Sequence, residues 1–134
     1  MIRILIIEDD EEMRFLLKDF LSEEGYEADS AHNGSEALLK LAKEPFDLVI
    51  TDIRMPGLTG FDILSAIKKL ELGMPVIVIT AFGGDEVYRR SMAREADGYL
   101  EKPIHFQKLK GLIQELVSSK EKQERRFGKD MPYG

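Results

Sequence analysis

The run Glu8-Asp9-Asp10 closes an apolar segment near the start of the chain, and Asp52, Thr80 and Lys102 each stand at the end of a later one. Carboxylates held about 4–5 Å apart repel by roughly 3–4 kcal/mol per pair at an effective dielectric near 20, so such a cluster calls for a cation or a raised pKa. A divalent ion meets that need. Magnesium takes oxygen ligands, keeps several waters and accepts one or two carboxylates plus a phosphate, which suits acids on short loops with no histidine beside them. Lys102 adds a point positive charge, and Thr80 a hydroxyl able to donate to a phosphoryl oxygen. Metal, amine and hydroxyl around one carboxylate are the equipment for phosphoryl transfer onto that carboxylate. Asp52 stands alone at its segment end and is the natural acceptor, whereas the adjacent Glu8 and Asp9 are suited to sharing the metal.

Those residues can converge only if the segments before them run side by side. Ile2–Ile7, Tyr26–Ala31, Asp47–Asp52, Pro75–Thr80 and Gly98–Glu101 read as strands; the first, third and fourth hold the continuous apolar runs Ile4–Ile7, Leu48–Ile50 and Val76–Ile79 expected of strands buried on both faces. Helical spacing of apolar residues covers Glu11–Glu24, Ser35–Lys43, Phe61–Leu70 and Phe106–Val117, and a poorly apolar helix runs from Gly84 to Arg94. Gly25 falls at the C′ position of the first helix, Asn33-Gly34 makes a turn, and Pro45 ends the second helix. Strands alternating with helices predict a parallel sheet covered on both faces, whose ligands bind beyond the carboxyl ends of the strands. All the candidate residues lie at those ends.

Composition narrows the alternatives. The chain has 134 residues, enough for one domain with a sizeable core, and is 43% hydrophobic and 33% charged. Its net charge of −6 is the wrong sign for direct nucleic-acid binding. Residues 118–134 hold five basic and three acidic side chains, so the acidity belongs to the body and not to the tail. With no cysteine there is no disulfide frame, thiolate nucleophile or cysteine-ligated metal. Apolar runs such as Ile4–Ile7 are too short for a membrane span, so a cytoplasmic location is expected. His32 and His105 read as surface or loop residues, and Met55 and Met74 as packing.

From Ile2 to about Ser119 the sequence resembles the response-regulator receiver domains of two-component signalling, chemotaxis-regulator-like. The resemblance rests on Ile6-Ile7-Glu8-Asp9-Asp10, Asp52-Ile53-Arg54-Met55-Pro56-Gly57, Ile79-Thr80-Ala81 and Gly98-Tyr99-Leu100-Glu101-Lys102-Pro103, in that order. It implies a (βα)5 doubly wound, flavodoxin-like α/β fold with a five-stranded parallel sheet in the order 2-1-3-4-5. It also implies that Asp52 accepts a phosphoryl group from a sensor histidine kinase. By the same resemblance Mg2+ is held by Asp9, Asp52 and the backbone carbonyl of Arg54, with Glu8 acting mainly through a metal-bound water. Thr80, Tyr99 and Lys102 match the switch threonine, the switch aromatic and the phosphate-binding lysine, and the Lys102–Pro103 bond is expected to be cis.

Such a module is a switch and not an enzyme, catalysing only its own phosphorylation and dephosphorylation. A phosphoryl group adds roughly two negative charges and three acceptor oxygens, drawing in Lys102 and the Thr80 hydroxyl. Tyr99 then fills the space Thr80 leaves, and the surface of the fourth helix, fifth strand and fifth helix changes for an effector protein or attached output domain. Arg54 and Phe82, each two positions past a key residue, suit a water-activating role poorly, which predicts a phosphate lifetime of minutes to hours. Residues 1–119 are the receiver domain and 120–134 a charged tail or linker, into which the last helix could extend to about Arg126; the chain is expected to be a monomer, with phosphorylation-linked dimerisation open.

Two other classes share the sheet. A haloacid-dehalogenase-like phosphatase needs Asp-x-Asp after the first strand, a spacing Glu8-Asp9-Asp10 lacks, and a flavin carrier needs a phosphate-cradling loop where this chain is acidic. A phosphorylation-independent interaction module is the remaining alternative.

Overall fold

The computed structural model describes residues 1–70 and 72–130, with side chains through residue 118. Its elements alternate: β1 (Arg3–Ile7), α1 (Glu11–Glu23), β2 (Glu27–Ala31), α2 (Gly34–Lys43), β3 (Leu48–Asp52), α3 (Gly60–Lys69), β4 (Val76–Thr80), α4 (Asp85–Ala93), β5 (Gly98–Glu101) and α5 (Phe106–Asp130). The strands form one sheet in the order β2-β1-β3-β4-β5, with every neighbouring pair parallel. This is the predicted order and fold class.

Burial follows the apolar pattern. All five residues of β3 and of β4 are buried, as are Ile4–Ile7 of β1, whereas the edge strands β2 and β5 are only partly covered. Leu5, Ile7, Val49, Val76 and Val78 share a core with Ala37 and Leu41 of α2 and Ile63, Leu64 and Ile67 of α3. Alternate strand residues point to opposite faces, so Ile4, Ile6, Leu48, Ile50, Ile77 and Ile79, also fully buried, line the other side. Leu17 and Leu21 of α1 are equally inaccessible. The poorly apolar α4 buries Ser91 alone among its nine residues.

The chain divides into two compact units, Met1–Pro103 and Ile104–Gly134. In the second, α5 opens with the Lys108 and Leu109 amides donating to the His105 carbonyl and continues to Asp130. It therefore runs past Val117, where the apolar spacing ends, and a turn beyond Arg126, to which the helix was expected to extend. Residues 131–134 of the tail lie outside the described residues.

Helix ends show how local chemistry sets the boundaries. Asp10 caps α1, accepting from the Glu12 amide at 3.1 Å, and Gly25 follows with φ of 89°. Asn33 proves to be the N-cap of α2, accepting from the Glu36 amide at 2.8 Å, so Gly34 begins that helix where a turn was expected. Thr59 and Asp62 form a reciprocal capping box at the start of α3.

Candidate functional site

Parallel strands ending at similar heights deliver Glu8, Asp52, Thr80 and Lys102 to one rim. Pairing of Asp52 with Ile79 and of Thr80 with Glu101 sets their register, and the Lys102 amide donates to the Thr80 carbonyl at 2.8 Å. The Lys102–Pro103 peptide bond is cis, as the resemblance implied.

Lys102 is the centre of the cluster. Its Nζ donates to Asp52 Oδ2 at 2.8 Å and to Glu8 Oε2 and Oε1 at 3.0 and 3.2 Å. Glu8 and Asp52 are both buried, whereas Asp9 is exposed. The other Asp52 oxygen, Oδ1, accepts the Arg54 amide at 3.3 Å, which fixes the carboxylate between amine and backbone. Burial pushes the Glu8 carboxyl from 4.5 up to about 7, the Asp52 charge adds to the shift, and Lys102 opposes it. Burial would lower the Lys102 amine, but its bonds to Asp52 and Glu8 outweigh burial and raise it. The amine therefore stays charged.

One oxygen from each of Glu8, Asp9 and Asp52 lies within 4.8 Å of the others. Around an octahedral magnesium ion adjacent oxygens sit about 2.9 Å apart and opposed ones about 4.2 Å, so these hard oxygen donors suit such an ion once the carboxylates draw in around it. The Asp10 side chain is engaged as the α1 cap, while its amide donates to Glu8 Oε1 at 3.3 Å.

Two supports of the rim carry no sequence signature. Arg14, one turn into α1, donates to the Glu8 and Asp9 carbonyls at 2.8 and 3.0 Å and so holds the acidic loop. Gly60 packs against the acceptor strand: a Cβ there would lie 2.3 Å from the Asp52 carbonyl oxygen and 2.8 Å from Ile53 Cα. Only glycine fits without moving backbone. Periodicity placed Arg14 on a helix but could not aim its guanidinium, and Gly60 looked like one more loop glycine.

Thr80 is buried, and its hydroxyl oxygen accepts the Phe82 amide at 3.1 Å. Tyr99, half-buried on β5, donates from its hydroxyl to Glu101 Oε1 at 3.3 Å and meets Tyr88 of α4 edge-on, centroids 5.3 Å apart. The same Glu101 oxygen accepts the Gly84 amide at 3.2 Å, tying the loop after β4 to β5. Burial, then the nearby Glu101 charge, raises the Tyr99 phenol above its usual value. Phe82 is exposed, and the Arg54 guanidinium lies over its ring, 4.4 Å from the centroid. His32 is exposed and pairs with Glu36, away from the acidic cluster; Met55 and Met74 are buried, as packing residues should be.

Known proteins share this arrangement. The family described as the response regulator receiver domain matches residues 4–114. The Chemotaxis protein CheY of Halobacterium salinarum is 34% identical over 117 residues, covering 87% of this chain and 98% of that protein. The Regulatory protein VanRB of Enterococcus faecalis is also 34% identical, over 116 residues and 87% of this chain, but only 52% of its own length is matched. The chain thus spans about half the length of some curated relatives and nearly all of others. Among solved structures, a CheY-like response regulator receiver domain protein from Methanospirillum hungatei superposes with a TM-score of 0.86 at 34% identity, covering 92% of this chain and 98% of that one. The response regulator protein TrrA from Thermotoga maritima, in complex with Mg(2+)-BeF, does so at 0.79 and 41%, covering 87% and 99%. With its sheet order, its rim of acids and lysine, and a match over most of its length, this chain belongs to the response regulator receiver domain family of two-component systems.

Proposed function

We propose that the chain is a phosphoacceptor signalling module in which Asp52 receives a phosphoryl group from the phosphohistidine of a sensor kinase. The observation that carries this reading is the Lys102 amine bridging Asp52 at 2.8 Å and Glu8 at 3.0 Å on a buried rim. An Asp52 oxygen forms the bond to phosphorus as the phosphorus–nitrogen bond to the donor imidazole breaks, its electron pair leaving with nitrogen. Lys102 follows the charge from carboxylate to phosphoryl oxygen, and the Thr80 hydroxyl gives up the Phe82 amide to donate to a second oxygen. Glu8, Asp9, Asp52 and the Arg54 carbonyl would hold Mg2+, which when bound neutralises charge on the transferring group.

Tyr99 answers the move of Thr80 by turning inward from the Glu101 carboxylate, and the α4–β5 surface presents a changed face to an effector protein or output domain. In this reading the module acts on no substrate but itself, and the lack of an Asp-x-Asp spacing after β1 supports signalling rather than phosphatase chemistry. Residues 1–119 form the receiver unit in this reading, and 120–134 a tail or linker. Among the described residues no helix is long and apolar enough to cross a membrane; together with the absence of cysteine this supports a cytoplasmic site of action.

Intact mass after incubation with acetyl phosphate and Mg2+ tests the reading, with wild type beside Asp52→Asn. A gain of about 80 Da, one phosphoryl group, in the wild type alone is expected. A gain in both proteins, or in neither when purified kinase is also supplied, would reject Asp52 as acceptor and favour a phosphorylation-independent interaction module.

A further inference from the structure

Beside the acceptor rim lies a cleft of about 420 Å³ whose walls include Arg54, Phe61, Asp62, Ser65, Arg90 and Arg94. Arg90 and Arg94, one turn apart, both place guanidinium groups against the Phe61 ring, 4.8 and 4.9 Å from its centroid. Stacking of this kind orients the planar group and leaves its N–H edges free to donate. Among the described residues none of the three arginines is in an ion pair with a carboxylate. The one acid in the cleft is already engaged, since Asp62 Oδ2 accepts from the Thr59 amide and hydroxyl at 2.8 and 3.1 Å. Among the described residues three arginines outside any ion pair thus line one concavity, two of them with guanidiniums set against its Phe61 wall, in a chain whose net charge is −6.

We infer that this cleft binds a compact polyanion of the diphosphate class, either free or as the polyphosphate chain of a nucleotide. Its volume falls in the range of small-molecule sites. Guanidinium forks pair two N–H groups with two oxygens of a phosphate, and several such pairs can act on one diphosphate. An extended acidic peptide fits less well. Beyond the cleft it would meet Asp85 and Glu86 at the start of α4 and Glu95 just after its end, whereas a compact ligand stays among the arginines. Binding here is independent of the acceptor reading and can fail or succeed without it.

Isothermal titration calorimetry of the full chain with pyrophosphate and with ATP, in EDTA and without divalent cations, tests the site. Saturable one-to-one binding is expected for both probes, weakened about ten-fold or more in Arg90→Gln/Arg94→Gln. Ser65→Glu is a second variant, placing a carboxylate on an exposed position of α3 inside the cleft, and should remove binding on its own. Equal affinity for the two probes assigns the polyphosphate chain as the recognised group; tighter ATP binding assigns a nucleotide. A hexaglutamate peptide that binds more tightly than either would overturn the inference in favour of an acidic protein segment. So would the absence of saturable binding, or binding that a folded arginine variant and Ser65→Glu both leave unchanged.

Discussion

Replacing Lys102 with methionine keeps much of the volume of its stem and removes the cation that Glu8 and Asp52 share. One oxygen of each carboxylate lies within 4.8 Å of one of the other's. At that outer limit and an effective dielectric near 20 their repulsion is at least about 3.5 kcal/mol, equivalent to about 2.5 pH units. Glu8 is already pushed to about 7 by burial and then by Asp52, with Lys102 pulling the other way. Without the amine, Glu8 rises above that value and stays protonated in neutral solution. A carboxyl raised by folding binds more protons folded than unfolded, so stability falls as pH climbs from 4.5 through the folded value and levels off beyond it. In Lys102→Met the upper edge of that window moves higher, and the fall continues where the wild type has levelled. The expected loss in metal-free buffer is about 3 kcal/mol near pH 8, roughly 10 °C in Tm, and clearly smaller near pH 5.5, where Glu8 is protonated in both proteins. Urea and thermal unfolding followed by circular dichroism at the two pH values give the difference directly. Equal losses at both, or a gain of stability near pH 8, would refute the idea that the two carboxylates compete through this lysine.

Three further outcomes follow from the same geometry. Gly60→Ala should cost about 2–4 kcal/mol in chemical denaturation, because the new Cβ meets the backbone of Asp52 and Ile53 and not a yielding side chain; an unchanged midpoint would contradict that fit. Because Glu8 holds its proton up to about 7, apparent Mg2+ affinity by calorimetry should weaken on acidification below neutrality, by up to about ten-fold per pH unit, with proton release on binding; a flat profile would exclude Glu8 from the metal's surroundings. The Arg54 guanidinium is stacked on Phe82, and neither side chain is suited to activating a water, so phosphate on Asp52 should persist with a half-life on the order of minutes to hours and be lost several-fold faster in Arg54→Asn. Mass spectra of the decaying phosphoprotein decide this, and loss within seconds in the wild type would overturn it.

What the sequence made legible, and what it hid, has a physical pattern. Continuous apolar runs and the 3.6-residue period located most of the elements, because strands buried on both faces such as Val76–Thr80 and amphipathic helices such as α3 must carry them. The rim residues were legible because each sits at a strand end, and strand ends of a parallel sheet share one edge. Side chains that work at a distance left no such trace. Arg14 reaches back six residues to the Glu8 carbonyl, and Glu101, taken only as the last residue of β5, joins Tyr99 to Gly84 across seventeen residues of chain. Arg90 and Arg94 met Phe61 only when α4 was packed near α3, and α4 is the least apolar of the helices in Met1–Pro103. The length of α5 beyond Val117 rests on charged residues with good helix propensity, where a search for apolar stripes sees an end.

The contrast between β3 and β4, buried at every residue, and α4, which buries Ser91 alone, sets a hierarchy of opening events. Amides of the central strands should exchange with solvent only when the whole sheet opens, whereas those of α4 can exchange through local excursions that leave the sheet intact. The rim that would take the phosphoryl group is thus anchored in the slowest-exchanging part of Met1–Pro103, and the surface that would report it belongs to the fastest. A signal of a few kcal/mol at Asp52 can then redistribute α4 among its conformations without drawing on the stability of the strands that hold the acceptor in place.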